Sequence, residues 1–275
     1  MSKILGRSLR VRFKHFLRKL AINKRQKFIV FVLILSLGFF ITEYLIGKSG
    51  IFLILILSVL TDLFLFISLK EDLKDNFSPQ VFILPFFYTL AVGLFYLLVP
   101  ARLLTRVGIS SLYALGLYSL FLSENIFTVS SIRTIQLLSG ARTVATTLTL
   151  LSYFFLSNVI FSFHINVFLT LFLISLYTFP IALHLIWTNT LEKNILSEIF
   201  WVLSLTICLV EVSLFLWFWP SSPTLIALFL TGIFYIIVGL TQAWFEKRLF
   251  RSVILEYLWV AFVMFIALVL FTSWK

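Results

Sequence analysis

Two acidic residues lie deep inside long apolar segments, where an ionisable side chain is costly. Asp62 lies about 16 Å along a helix that begins at Ile51, and Glu211 about 18 Å along one that begins at Ile199. Because a charge at the centre of a bilayer costs about 3 kcal/mol, such acids indicate a role. We predict that Asp62 and Glu211 form a proton- or cation-responsive centre. The alternative is that both are protonated and only donate hydrogen bonds between helices.

A polar seam on the fifth apolar segment is the second candidate for chemistry. Its residues recur at helical spacing and share one face, and they are Arg142, Thr146, Thr149, Tyr153 and Ser157. We expect this seam to surround one polar cavity together with Asp62, Glu211 and Glu43, the last from the first apolar segment.

Acidic loops offer a different chemistry at the membrane surface. The loop after the second segment reads KEDLKDN, in which Asp72 and Asp75 are close enough to share Mg²⁺, and Glu192 follows the sixth segment. This layout resembles that of intramembrane prenyltransferases, which bind a prenyl diphosphate through Mg²⁺. The resemblance implies catalytic roles for these three acids, with Mg²⁺ as cofactor. Lys70 and Lys74 interrupt the first loop, the family's second motif is absent, and an exposed mixed-charge loop is the alternative.

Other catalytic and metal-binding motifs are absent from the sequence. It has no glycine-rich phosphate loop, no GxSxG elbow and no HExxH motif, and its three histidines are scattered. The single cysteine, Cys208, excludes an intrachain disulfide and a cysteine-based metal cage. We therefore expect no metal and no cofactor unless the Mg²⁺-dependent alternative holds, and we expect a protein that is not an enzyme.

The composition predicts which elements position these groups. Of the 275 residues, 61% are hydrophobic and 12% are charged, whereas soluble domains have about 25% charged residues. This excludes cytosolic, disordered and disulfide-rich secreted proteins. A membrane-spanning helix needs about 20 apolar residues. Nine segments qualify and predict one all-α integral membrane bundle: Phe28–Ile46, Ile51–Leu69, Val81–Val99, Val107–Leu122, Val144–Phe163, Val167–Trp187, Ile199–Trp219, Thr224–Trp244 and Val253–Phe271.

The net charge of +11 comes almost entirely from residues 1–27, which hold ten basic residues and no acid. An apolar stripe in this segment lies opposite four basic residues, Arg7, Arg10, Lys14 and Arg18. We predict an amphipathic helix in the plane of the membrane, bound to anionic lipids. An arm that binds a partner membrane protein is the alternative. Nucleic acid is not expected, because no recognition motif accompanies the charge.

The distribution of basic residues also predicts the orientation. With the N-terminus in the cytoplasm, 18 Lys and Arg residues lie on the cytoplasmic side and 4 on the other. Because Lys and Arg concentrate in cytoplasmic loops, we predict a multi-pass protein of the cytoplasmic membrane with its C-terminus outside. Short links at residues 164–166 and 220–223 predict two helical hairpins on the outer side.

Residues 123–143 form the most unusual predicted loop. Ser123 could cap the start of a helix and Gly140 could end it, which predicts an amphipathic helix on the cytoplasmic leaflet. Arg133 would then contact lipid headgroups. A plain connector between the fourth and fifth spans is the first alternative, and a re-entrant half-helix is the second.

The whole chain resembles the uncharacterised polytopic membrane protein families that are common in bacterial genomes. The stretch SENIFTVSSIRTIQLL is the part that we expect such a family to share. Three functions follow from the sequence. The first is a transporter-like or lipid-interacting protein with a polar intramembrane centre. The others are a membrane-embedded transferase that acts on a lipid-linked substrate, and a structural or assembly subunit.

Overall fold

Nine helices long and apolar enough to cross a membrane make up the described part of the chain. The structure is a computed structural model that describes residues 24–45, 50–70, 72–73, 78–99, 103–130, 137–191 and 196–272. The helices are α1 (Lys24–Leu45), α2 (Gly50–Leu69), α3 (Ile83–Leu98), α4 (Leu103–Ser130), α5 (Leu138–Ser162), α6 (Val167–Thr190), α7 (Leu196–Trp217), α8 (Pro223–Phe245) and α9 (Arg251–Leu270). A short 3₁₀ turn, Pro79–Phe82, leads into α3. The predicted all-α bundle of nine spans is confirmed.

The described helices bury two apolar cores that meet in the middle of the bundle. The first core lies mainly among α1, α2, α3 and α4, and the second mainly among α5, α6, α7 and α8. Helices α3 and α5 pack directly against each other and so join the two cores. The predicted N-terminal amphipathic helix, with Arg7, Arg10, Lys14 and Arg18, lies outside the described residues.

Two tight turns on the predicted outer side confirm the helical hairpins. Asn166 caps α6, since its side-chain oxygen accepts a hydrogen bond of 2.9 Å from the Leu169 amide. Ser222 caps α8 in the same way and is followed by Pro223, a residue that suits the first position of a helix. Short capped connections of this kind place α5 beside α6 and α7 beside α8.

Helix α9 is held to the bundle mainly by α8. Gly232 and Gly239 of α8 make this packing possible. A Cβ atom on Gly232 would lie 1.9 Å from Cε of Met264, and one on Gly239 would lie 2.3 Å from Oη of Tyr257. The rest of α9 is largely uncovered, and Leu268 is its one buried residue.

The fourth span is longer than predicted, and residues 123–130 belong to it. Helix α4 has 28 residues and is therefore about 42 Å long. Ser123 does not cap a new helix, because its hydroxyl donates to the Ser119 carbonyl within α4. Gly140 does not end a helix but lies in the first turn of α5. The prediction of a separate helix is thus wrong at both ends, and residues 131–136, with Arg133, lie outside the described residues.

The physical reason is that the buried face of α4 continues without a break. Leu117, Leu120, Phe121, Phe127 and Thr128 are all buried, at the spacing of one helix face. A serine inside a helix can satisfy its hydroxyl on the carbonyl four residues earlier, so Ser123 imposes no helix start.

Candidate functional site

A glutamate and a histidine form a wholly buried pair between α4 and α6. Nε2 of His184 lies 2.9 Å from Oε1 of Glu124, and both side chains are 0% exposed. Each residue lies six positions before the end of its helix, which is about 9 Å along the axis. Helices α4 and α6 run in the same direction in the predicted topology. Because the two residues lie equally far from the ends of these helices, they lie at about the same depth in the membrane.

Aromatic side chains enclose the pair. The ring of Phe127 meets the His184 ring edge to face at a centroid distance of 6.5 Å, and Trp187 lies 6.0 Å from the same ring. Both aromatic residues are buried. An apolar enclosure keeps water away and strengthens the interaction between the acid and the imidazole.

A second acid lies near the pair. Asp62 of α2 is close enough to Glu124 for the two carboxyl groups to interact electrostatically. It lies seven positions before the end of α2, a depth of about 10 Å that matches the pair. Asp62 is one of the two acids predicted to form a polar centre, and the acid with which it interacts in the structure is Glu124.

Three buried polar atoms of this cluster have no hydrogen-bond partner among the described residues: Asp62 Oδ1, Glu124 Oε2 and His184 Nδ1. More than nine in ten buried polar groups are paired in folded proteins. Atoms that can accept or donate a proton therefore remain free on both members of the pair and on the neighbouring acid. We refer to Asp62, Glu124 and His184 as the acid–histidine cluster.

Glu211 is not part of this cluster. Together with Ser204 and Cys208 it lies on an exposed face of α7. Helix α7 packs against α6 and α8, whereas Asp62 lies on α2, which packs against α1 and α3. The prediction that Asp62 and Glu211 share a centre is wrong. The side chain of Glu43 lies outside the described residues.

The predicted seam on α5 faces α6 and forms a hydroxyl cluster of its own. Oη of Tyr153 lies 3.2 Å from Oγ1 of Thr178, and Oγ of Ser157 lies 2.7 Å from Oη of Tyr177. The Tyr153 ring also stacks on Phe234 at 4.2 Å. We refer to Tyr153, Ser157, Tyr177 and Thr178 as the hydroxyl cluster. Elsewhere along the seam, Thr149 is fully buried and Thr146 is half-buried.

Arg142, at the start of the seam, secures the end of α6. Its guanidinium donates 2.9 Å and 2.8 Å hydrogen bonds to the carbonyls of Thr188 and Asn189. These carbonyls belong to the last turn of α6, where no intrahelical donors are left. Arg142 therefore caps the helix that carries His184 and holds it against α5.

Within the described part of the chain, the acids proposed for Mg²⁺ binding do not form a group. Asp72 forms an ion pair with Lys24, and Asp75 and Glu192 lie outside the described ranges. Where positions are described, no three His, Cys, Asp or Glu side chains are grouped to hold a metal ion.

The sequence alone identifies neither member of the buried pair. Glu124 falls in the stretch for which a separate loop helix is predicted, and His184 has no partner nearby in the sequence. One signal could have found Glu124, because it lies one turn after the buried positions Leu120 and Phe121, on the apolar face of its segment. No comparable signal links Glu124 to a histidine 60 positions away.

No curated protein and no solved structure matches the chain. One family model, described as "Protein of unknown function (DUF5656)", matches residues 28–271. The matched region covers all nine spans almost completely and includes the stretch SENIFTVSSIRTIQLL. A resemblance to intramembrane prenyltransferases is not found. The predicted resemblance to uncharacterised membrane protein families is confirmed, and the chain belongs to the DUF5656 family.

Proposed function

We propose that this protein is a transporter-like membrane protein whose polar centre is a proton relay formed by Asp62, Glu124 and His184. The observation that carries the proposal is the fully buried Glu124–His184 pair with an unpartnered polar atom on each side chain among the described residues. Ionisable groups buried at membrane depth commonly serve proton relays and ion pathways.

Energetics favour a functional role over a structural one. Burying an ion pair costs several kcal/mol for each charge, and well-packed apolar residues in its place are often as stable. An uncharged arrangement, with the proton on Glu124 and a neutral imidazole on His184, avoids this cost, and transfer of that proton to the imidazole produces the ion pair. Imidazole is the side chain best suited to exchange that proton near neutral pH. Asp62 carries a further carboxyl group that interacts electrostatically with Glu124.

The local structure of α6 supports a moving element. Pro180 lies inside α6, one turn before His184. A proline has no amide hydrogen and cannot donate to the carbonyl four residues earlier, which weakens the helix at this point. Movement of the segment that carries His184 would change the distance between His184 and Glu124, and with it the transfer of a proton between them.

Charge movement in reconstituted membranes tests the proposal. Proteoliposomes adsorbed on a solid-supported membrane would be exposed to a pH step, and the resulting current recorded. We expect a transient current for the wild-type protein and at least a tenfold smaller one for Glu124→Gln, which removes the proton carrier. Glu211→Gln is the matched control, since it removes an acid from the exposed face of α7. Its current should equal that of the wild type.

The opposite results would overturn the proposal. A wild-type current no larger than that of protein-free liposomes would exclude a proton relay. Equal currents for wild type and Glu124→Gln would show that the buried pair is only structural. In both cases thermal unfolding in detergent would first establish that each variant is folded.

We also propose that the protein lies in the cytoplasmic membrane with its N-terminus inside, a proposal supported by the 18 basic residues on that side. In a Cys208→Ser background, a cysteine at His164 should react with an impermeant maleimide on intact cells. A cysteine at Arg248 should react only after lysis. The reverse pattern would contradict this orientation.

A further inference from the structure

A cavity of about 570 Å³ lies between the start of α1 and the end of α4. Its lining combines two basic residues, one amide and an apolar wall, and it consists of Lys24, Arg25, Phe28, Tyr118, Leu122, Asn125, Ile126, Val129 and Leu137. It is separate from the acid–histidine cluster, none of whose residues line it. Cavities of this size commonly hold small ligands.

The cavity is polar at one end and apolar along the rest. Lys24 and Arg25 stand just before Phe28, where the apolar run of α1 begins, so the basic end lies at the depth of lipid headgroups. Leu122 and Ile126 extend the apolar wall along α4 toward the hydrocarbon. A ligand that matches this gradient carries an anionic group at one end and a hydrocarbon chain at the other.

The charges at the basic end favour a single anionic group. Asp72 pairs with Lys24 and neutralises it in part, while Arg25 is exposed at the mouth. The side-chain oxygen of Asn125 is buried and lacks a hydrogen-bond donor within the described ranges. A free acceptor beside a guanidinium suits a headgroup that has both phosphate oxygens and a hydroxyl donor.

We propose that this cavity binds an anionic glycerophospholipid with a hydroxyl-bearing headgroup, such as a phosphatidylglycerol. Arg25 and Lys24 contact the phosphate, Asn125 accepts a hydrogen bond from a headgroup hydroxyl, and an acyl chain lies along Leu122 and Ile126. Basic pockets between transmembrane helices on the cytoplasmic side are suited to such headgroups. This inference is independent of the proton relay.

Lipid titration of the delipidated full-length protein in neutral detergent tests the site. Native mass spectrometry would count bound phosphatidylglycerol and, separately, phosphatidylcholine with the same acyl chains. We expect clear preference for phosphatidylglycerol in the wild type. Arg25→Gln should weaken phosphatidylglycerol binding about fivefold, the effect of one basic residue near a membrane surface, and leave phosphatidylcholine binding unchanged.

Two further variants distinguish binding in this cavity from the general electrostatic attraction of anionic lipids to basic residues. Arg251→Gln is the matched control, because Arg251 is an exposed basic residue at the start of α9, and its phosphatidylglycerol binding should equal that of the wild type. Leu122→Trp fills the apolar part of the cavity and should weaken the binding of both lipids. Thermal unfolding confirms that each variant remains folded.

Three outcomes would overturn the proposal. Equal binding of the two lipids would identify an apolar groove without headgroup recognition. Equal losses for Arg25→Gln and Arg251→Gln would identify surface electrostatics alone. Displacement of the lipid by an excess of inorganic phosphate would identify a site for free phosphate instead.

Discussion

Helix α6 contributes to two buried polar clusters that differ in one respect. In the hydroxyl cluster every side-chain oxygen has a hydrogen-bond partner, as in the contacts of Tyr153 with Thr178 and of Ser157 with Tyr177. In the acid–histidine cluster each residue keeps a polar atom that no other described residue pairs with. A stable helix interface requires that its polar atoms be hydrogen-bonded. Ionisable atoms without such a partner indicate groups that exchange partners or protons.

The energetic consequences of the two clusters differ accordingly. A hydrogen-bonded pair of hydroxyl groups contributes roughly 1 kcal/mol to stability, and removing the pair leaves no costly unpaired group in the interior. An acid and a histidine in an apolar enclosure contribute little net stability as a pair, but each becomes costly when its partner is removed. Single and double substitutions therefore distinguish a structural cluster from a functional one.

The largest effect is expected when only one member of the acid–histidine pair is replaced. Glu124→Leu leaves the imidazole of His184 buried without a hydrogen-bond partner, so the free energy of unfolding should fall by about 1 to 3 kcal/mol. The double variant Glu124→Leu with His184→Leu should recover most of this loss while the pH-driven current stays absent. Chemical unfolding in detergent micelles measures the first effect, and the reconstituted assay measures the second.

The matched control for this pair of variants is Glu211→Leu, on the exposed face of α7. Its stability should change by less than about 1 kcal/mol, because no buried partner is left behind. A double variant as unstable as Glu124→Leu would show that the pair is needed for packing, and the contrast between the two clusters would be lost.

A smaller effect is expected in the hydroxyl cluster. Tyr153→Phe keeps the ring on Phe234 and removes only the hydroxyl that contacts Thr178, so stability should fall by about 1 kcal/mol. The pH-driven current should keep its wild-type size. Ser204→Ala, which removes a hydroxyl from the exposed face of α7, serves as the control and should change neither quantity. Loss of current in Tyr153→Phe would make the hydroxyl cluster part of the relay.

The local features of this fold could be predicted from the sequence. The runs of apolar residues predict the nine spans. Asn166 and Ser222 are capping residues, and their contacts are confined to one helical turn. Gly232 and Gly239, seven residues apart on one helix, are a pattern typical of close helix packing, and α9 packs against both.

The site could not be predicted, because it depends on which helix faces lie inside. The apolar run predicts a span that contains Glu211 but does not show that Glu211 lies on the exposed face of that span. The contact between Glu124 and His184 depends on the relative position of α4 and α6, which are joined through a long intervening chain. The relative position of two helices is set by tertiary packing and leaves no local pattern in the sequence.

The length of α4 has a consequence for the membrane around it. At about 42 Å the helix exceeds the hydrocarbon thickness of a typical bilayer, which is about 30 Å. A helix with this excess tilts, extends beyond the hydrocarbon or thickens the bilayer nearby. Glu124 lies about 9 Å from one end of the helix, so its depth depends on how the helix accommodates this excess. The thickness of the surrounding bilayer therefore sets how far this carboxyl group lies from water, and lipid chain length becomes a means of regulating it.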